Sequence, residues 1–291
     1  MFRPQPYGSQ WGLTSAEMVA AYSKAQLGKE PKDLKVAIIH EDGPYGTDVA
    51  KGSAAGAKTA GFEVVANEGY SASAPDLSSM VTKLKRGKPD VIFHTGYNLD
   101  ITLFLRQSRE LGLKFSALVG HGAGYTVYSK LKDTVGNDAN YFFDVDPISI
   151  WETNPKAMKP ELVEMIKTVG DAYMKAKPDT IIKSAHVGMA ASNTYAFLMD
   201  VLPRAIKKYG GITSDDLRQA ALDTDLGDGQ TMLGFGVKFE GQGAPMAGQN
   251  DRAYPVVVQY VDDKSYVVWP AAQQQREPVL KLPASSPYAA Q

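Results

Sequence analysis

The sequence predicts an α/β protein whose parallel sheet is covered by helices on both faces. Two observations carry that expectation. Short β-rich apolar runs recur five times in the first half, and each is separated from the next by a helix-length spacer, several of them amphipathic and closed by glycine. Strand–helix alternation of this kind implies right-handed crossovers and a doubly wound sheet. At 291 residues the chain has room for one large domain or two smaller ones, each with a core.

Taken in order, a helix is expected to open at Thr14, where T-S-A-E has capping-box spacing, and to close at Gly28. KVAIIH, from Lys35, reads as a strand. A small-residue helix follows from about Thr47 to Ala60, ended by Gly61, and FEVVANEGY is the next strand. Leu77, Met80, Val81 and Leu84 share one helical face before Gly87, and DVIFHTG returns to β character. Ile101, Phe104, Leu105, Ser108 and Leu111 mark a further helix, stopped by Gly112, after which FSALVG and NYFFDV complete the five strands.

From Pro147 to about Asp223 the pattern is helical only. Leu162, Met165, Ile166, Val169 and Tyr173 form one stripe, and Val187, Ala191, Thr194, Leu198 and Val201 another. Pro203 should kink or break the second helix, and Gly210 should end it. Thr213 and Asp216 start a short helix, GFGVKFE, YPVVVQYV and SYVVWP read as late strands, and residues 276–291 read as a surface or disordered tail. These later helices have little sheet of their own to cover.

Composition removes several functional classes. Thirty-one basic residues against 32 acidic ones give a net charge of −1, which argues against a nucleic-acid binder or a polybasic membrane anchor. No apolar run is long enough to span a bilayer, and MFRPQPYGSQWG lacks the layout of a signal peptide. With no cysteine, thiol nucleophiles, disulfides and thiolate metal sites are excluded.

Ligands of doubly wound sheets bind beyond the carboxyl ends of the strands. Here those segments read E-D-G-P-Y-G, G-Y-N and G-H-G-A-G-Y, each joining glycine to an aromatic. Tyr45, Tyr97, Gly96, His121, Gly122 and Tyr125 are therefore the candidate ligand-binding residues. Glu41 and Asp42 are expected to be solvated. His40 and His94 lie at strand ends, and the four histidines, His186 included, show no metal-ligand spacing. The G-x-G-x-G at Gly120 lacks dinucleotide-fingerprint spacing, no Walker-type loop occurs, and D-x-D-x-G-D-G from Asp223 reads as a turn because Gly234 stands where a calcium loop needs Glu. No catalytic residue, metal or cofactor is assigned. A nucleotide-dependent transferase on this fold would lack both a phosphate loop and a paired acid and base.

In order and spacing, KVAIIHEDGPYG, DVIFHTGYN, LFLRQSRELGLK, LVGHGAGY and the late G-x-x-F-x-x-x-G with its V-x-Q-x-x-D run resemble the type I periplasmic binding proteins, specifically the leucine/isoleucine/valine-binding branch that feeds ABC importers. The resemblance implies two Rossmann-like lobes closing on a small ligand and docking on a membrane permease, in the periplasm and without catalysis. It assigns 13–146 plus about 252–275 to the C-terminal lobe and 1–12 plus about 147–251 to a first lobe that is incomplete, as if roughly the family's first third were missing and Met1 lay inside a longer reading frame. Self-association through the uncovered helices is then expected. By the same resemblance Tyr45 and Tyr97 fall on ligand-contact positions, His121 replaces a glutamate that pairs with the ligand's ammonium, and Ala191 falls near an expected aromatic. An aliphatic or aromatic carboxylate without an amine, contacted by His121, is thus expected over a branched-chain amino acid. The alternative is a cytosolic ligand-sensing regulator of the same fold.

Overall fold

The computed structural model describes residues 1–178 and 185–290. The chain forms two compact units, one of residues 7–146 and 255–291 and the other of residues 1–6 and 147–254. The last residue, and 179–184 within the long helical stretch, lie outside the described residues.

The larger unit begins with α1 (Gly8–Leu27), six residues earlier than the local T-S-A-E signal suggests. Its first turn is satisfied from elsewhere: Asp48 accepts from Ser9 N at 3.1 Å and Ser9 Oγ at 2.5 Å, and the Tyr7 amide donates to Gln10 Oε1. Then follow β1 (Lys35–Glu41), α2 (Pro44–Ala60), β2 (Glu63–Tyr70), α3 (Ser78–Gly87), β3 (Val91–Thr95), α4 (Asn98–Glu110), β4 (Ala117–His121), α5 (Tyr128–Val135) and β5 (Phe143–Asp146).

Between Asp146 and Pro255 the chain forms the smaller unit. It contains α6 (Pro160–Ala176), α7 (Ala185–Ala196), α8 (Leu202–Arg204), α9 (Ser214–Leu222), β6 (Asp225–Leu226) and β7 (Val237–Lys238). The chain then returns to the larger unit as β8 (Val256–Val261) and β9 (Lys264–Trp269). The sheet order is β2-β1-β3-β4-β5-β8-β9, parallel through β5 and antiparallel beyond it.

Strand alternation sorts side chains between two covered faces. Val36, Ile38, Val91, Phe93, Val119 and Val145 bury themselves with Ala16, Met18 and Val19 of α1 and Ala50 and Ala57 of α2. On the other face His94 meets Phe104 of α4, ring centroids 4.3 Å apart. Helices α1 and α2 cross backbone to backbone: a Cβ on Gly12 would collide with Ser53 N and Val49 O, and one on Gly52 with Ser9 O.

In the smaller unit the second stripe is rotated by about one position from the expected one. Gly188, Ser192 and Ala196 are buried, while Thr194 and Leu198 are exposed, because Gly188 approaches Ile150 too closely for any side chain. Pro203 does not break the helix. Widened π-helical turns at Phe197–Val201 and Ala205–Tyr209 flank α8 and carry the helix past the missing amide to Gly210, whose φ is +86°. Among the described residues this unit has only the two-residue ladder β6–β7 and the isolated bridges Arg3–Gln249 and Phe239–Asn250. Phe197, Leu198, Met199 and Ile206 stay exposed. No described helix is long and apolar enough to cross a membrane.

The expected surface tail at 276–291 is corrected. Leu280, Leu282 and Tyr288 are buried in the larger unit, and two glutamine amides hold the segment as a neighbouring strand would. Gln259 bonds Val279 O at 2.8 Å and Val279 N at 3.0 Å, and Gln26 bonds Pro278 O and Leu280 N. Tyr288 stacks on Phe115 with centroids 5.5 Å apart and donates to Leu105 O. Tyr288→Ala is expected to cost about 3–5 kcal/mol of the larger unit's stability, as for other buried aromatics. Urea unfolding checks this, and an unchanged midpoint would restore the tail.

Candidate functional site

The chain leaves β1 for β2 on one side and leaves β3 for β4 on the other, so the topological switch point lies between the neighbours β1 and β3. Tyr45, in the first turn of α2 after β1, and Tyr97, the N-cap of α4 after β3, both stand there. Their ring centroids are 5.7 Å apart. The Tyr97 ring is 47% exposed, and Tyr45 is half-buried with its hydroxyl donating to His121 O at 2.8 Å. Burial raises both phenols above their ordinary range, so the pair is neutral. Trp11 of α1 is the third ring, edge-on to Tyr45 at 5.8 Å.

Three carboxylates here hold helix starts, while Asp144 and Asp146, whose charges also act on Tyr45, share the Thr126 hydroxyl. Glu41, which was expected in solvent, is buried and accepts from Gly43 N at 2.6 Å and Gly46 N at 2.5 Å at the head of α2. Asp100 accepts from Tyr97 N at 2.8 Å at the head of α4, and Asp48 holds α1. Helix amides and the macrodipole stabilise these anions in place. No free counter-ion for an ammonium is left among them.

His121 is corrected as a ligand contact. Its ring is 0% exposed, with Nε2 2.7 Å from Ser15 Oγ and Nδ1 2.8 Å from Thr95 Oγ1. Residue 121 continues the alternation of Ala117 and Val119, which turns the imidazole inward beneath α1. Tyr125 is corrected likewise: it is buried under Gly120, with its hydroxyl 2.7 Å from His94 Nδ1. Gly96 and Gly122 are buried too. A side chain on Gly96 would strike Asp100 and the Tyr70 hydroxyl, and one on Gly122 would lie 2.6 Å from the Trp11 ring. Of the six expected residues, therefore, two rings form the rim and four support it from below.

That support includes a relay with a fixed sense. Tyr70 OH donates to Asp100 Oδ2 at 2.7 Å, so it must accept from His94 Nε2 at 2.9 Å, which leaves His94 Nδ1 to accept from Tyr125. Sequence reasoning missed Trp11, Ser15 and Asp100. The signal available for Trp11 was an aromatic at the head of a helix that was started too late. Among the described residues no three His, Asp or Glu side chains converge as metal ligands.

Two buried carboxyls, Asp144 and Asp146, share the Thr126 hydroxyl at 2.7 and 2.5 Å. One hydroxyl proton serves one acceptor, so one carboxyl carries a proton of its own. Burial raises Asp146 to about 7 and lowers His94 and His121 to about 3. The signs oppose. Below about 6.5 the unfolded chain protonates both histidines while the folded chain does not, so their contribution is lost on acidification. Asp146 keeps a proton that the unfolded chain releases above 3.8, so its contribution grows as pH falls through about 7. Asp100, also raised by burial, acts in the same sense as Asp146, so Asp146→Asn, which removes one of these opposing groups, should make stability fall more steeply than in wild type from about pH 6.5 to 5. Urea midpoints of both proteins across that window check it, and parallel curves contradict it.

A family model described as periplasmic binding protein matches residues 3–259. The chain is 34% identical over 273 residues to Leu/Ile/Val-binding protein homolog 7 of Brucella suis biovar 1 (strain 1330), covering 94% of this chain and 64% of that one. It is 35% identical over 271 residues to homolog 8 of Brucella abortus (strain 2308), covering 93% and 63%. It thus spans less than two thirds of the length of these curated relatives. Solved structures with the same fold include a leucine-binding protein from Thermotoga maritima MSB8, with TM-score 0.67, 18% identity and coverage of 91% of this chain and 66% of that one. Another is a fatty acid ABC transporter substrate-binding protein from Thermomonospora curvata, with TM-score 0.66, 17% identity and coverage of 94% and 67%. With a switch-point site on a doubly wound sheet and relatives aligned along nearly its whole length, the chain belongs to the periplasmic binding protein family.

Proposed function

We propose that this protein is a solute-binding component of an ABC importer, acting in the periplasm without catalysis and delivering its ligand to a membrane permease. Its ligand is a small organic acid without an amine, aromatic or aliphatic, whose apolar body lies on Tyr45 and Tyr97. The observation that carries this reading is the ring pair at the switch point with Glu41, Asp48 and Asp100 all committed to helix starts. An ammonium desolvated there would find the oxygens of these three carboxylates already bonded to helix amides, whereas an apolar body gains ring contact. The solved neighbour titled as a fatty acid ABC transporter substrate-binding protein supports the transport role, and the commitment of Glu41, Asp48 and Asp100 to helix amides supports a ligand without an ammonium.

Isothermal titration with benzoate, hexanoate and leucine tests the reading. One of the acids binds, leucine binds weakly or not at all, and Tyr97→Ala weakens the acid by roughly tenfold, the scale of one aromatic contact. Tight leucine binding, with none for the acids, overturns it.

The exposed row Phe197, Leu198, Met199 and Ile206 in the smaller unit supports self-association of this chain. Sedimentation should show mass rising with concentration and a return to monomer in a Leu198→Ser/Ile206→Ser variant. A monomer across a hundredfold range of concentration contradicts it.

A further inference from the structure

We infer that Trp11 is a specificity-determining ligand contact whose indole N–H hydrogen-bonds an oxygen at the apolar end of the ligand, so the preferred ligand is a flat carboxylic acid bearing a remote acceptor such as a ketone or ether oxygen. This deepens the proposed reading of the Tyr45–Tyr97 site and rests on it.

Four observations meet at this side chain. Trp11 Nε1 is buried and has no hydrogen-bond partner, although buried donors are nearly always satisfied. The ring belongs to the rim cluster, edge-on to Tyr45, which in turn faces Tyr97. The position is built: the benzo edge of the indole sits where Gly122, at φ +39°, has no side chain, and any Cβ there would meet Cζ3 at 2.6 Å. The backbone beneath is fixed, since Ser15 Oγ bonds Trp11 O at 2.8 Å and also contacts the His121 ring.

The unmet donor marks a role beyond filling space, because a ligand that brings an acceptor to it relieves a desolvation cost the ligand-free protein already bears, and one that brings none does not. Of the other polar groups nearby, the Tyr45 hydroxyl is bonded to His121 O and Glu41 and Asp100 hold helix amides, while Asn98 Oδ1, beside Tyr97, is buried without a partner like Trp11 Nε1. Three neighbouring rings and a neutral donor match a planar body that ends in a neutral acceptor.

Calorimetry with 4-acetylbenzoate and 4-isopropylbenzoate, two acids of nearly the same shape that differ in one acceptor, tests the assignment on the full chain. Wild type should prefer the acetyl acid by roughly tenfold. Trp11→Phe, which keeps a ring and removes the N–H, should bring the ratio to about one. By NMR, the Trp11 indole N–H resonance of wild type, assigned through its backbone connectivity, should shift on adding the acetyl acid and stay in place with the isopropyl acid, a readout that does not depend on a variant's folding. A preference that survives in Trp11→Phe, or a resonance that responds alike to both acids, overturns the assignment of Trp11 and leaves the small-acid reading intact. If neither acid binds to wild type, while leucine does, both fall together.

Discussion

The larger unit depends on one constraint, the crossing of α1 and α2 through Gly12 and Gly52. At that separation there is no room for side chains, so the two helices are held by backbone contact and share one layer over the sheet. Everything at the rim follows from it. Asp48 on α2 is brought within reach of the first turn of α1, Trp11 is laid against Tyr45, and Ser15 is lowered onto His121. A bulkier residue at either glycine would push α1 outward and separate all three contacts together.

The parallel strands position the site by their parity. Residues 91, 93 and 95 of β3 face α1 and α2, while 92 and 94 face α4. The two buried histidines accordingly serve opposite sides of the same sheet. His121 braces the α1 side through Ser15 and Thr95, and His94 braces the α4 side through Tyr70 and Tyr125. Both are neutral, as burial demands, and both act as connectors between hydroxyl groups.

The five parallel strands and their helices were legible because each strand is a short β-branched run and each helix repeats its apolar positions within a few residues. Non-local compensation was not legible. The start of α1 is set by Asp48, 39 residues away from Ser9, and the C-terminal segment is held by Gln26 and Gln259 across some 250 and 20 residues. A composition rich in Gln, Pro and Ala gives no sign of three anchoring side chains, Leu280, Leu282 and Tyr288. At the site, position after a strand pointed to Tyr45 and Tyr97. It could not separate them from His121 and Tyr125, since inward or outward orientation at a strand end depends on one residue of parity and on what lies beneath each glycine.

The relay from Tyr125 through His94 and Tyr70 to Asp100 ends on the amide of Tyr97. Every hydroxyl along it has one orientation, so the backbone that carries the Tyr97 ring is ordered before any ligand arrives. The freedom surrendered on association is then confined to the rotation of a few rings. A rim prepared in this way gives up little entropy when it is filled, so a modest contact area can still hold a small molecule.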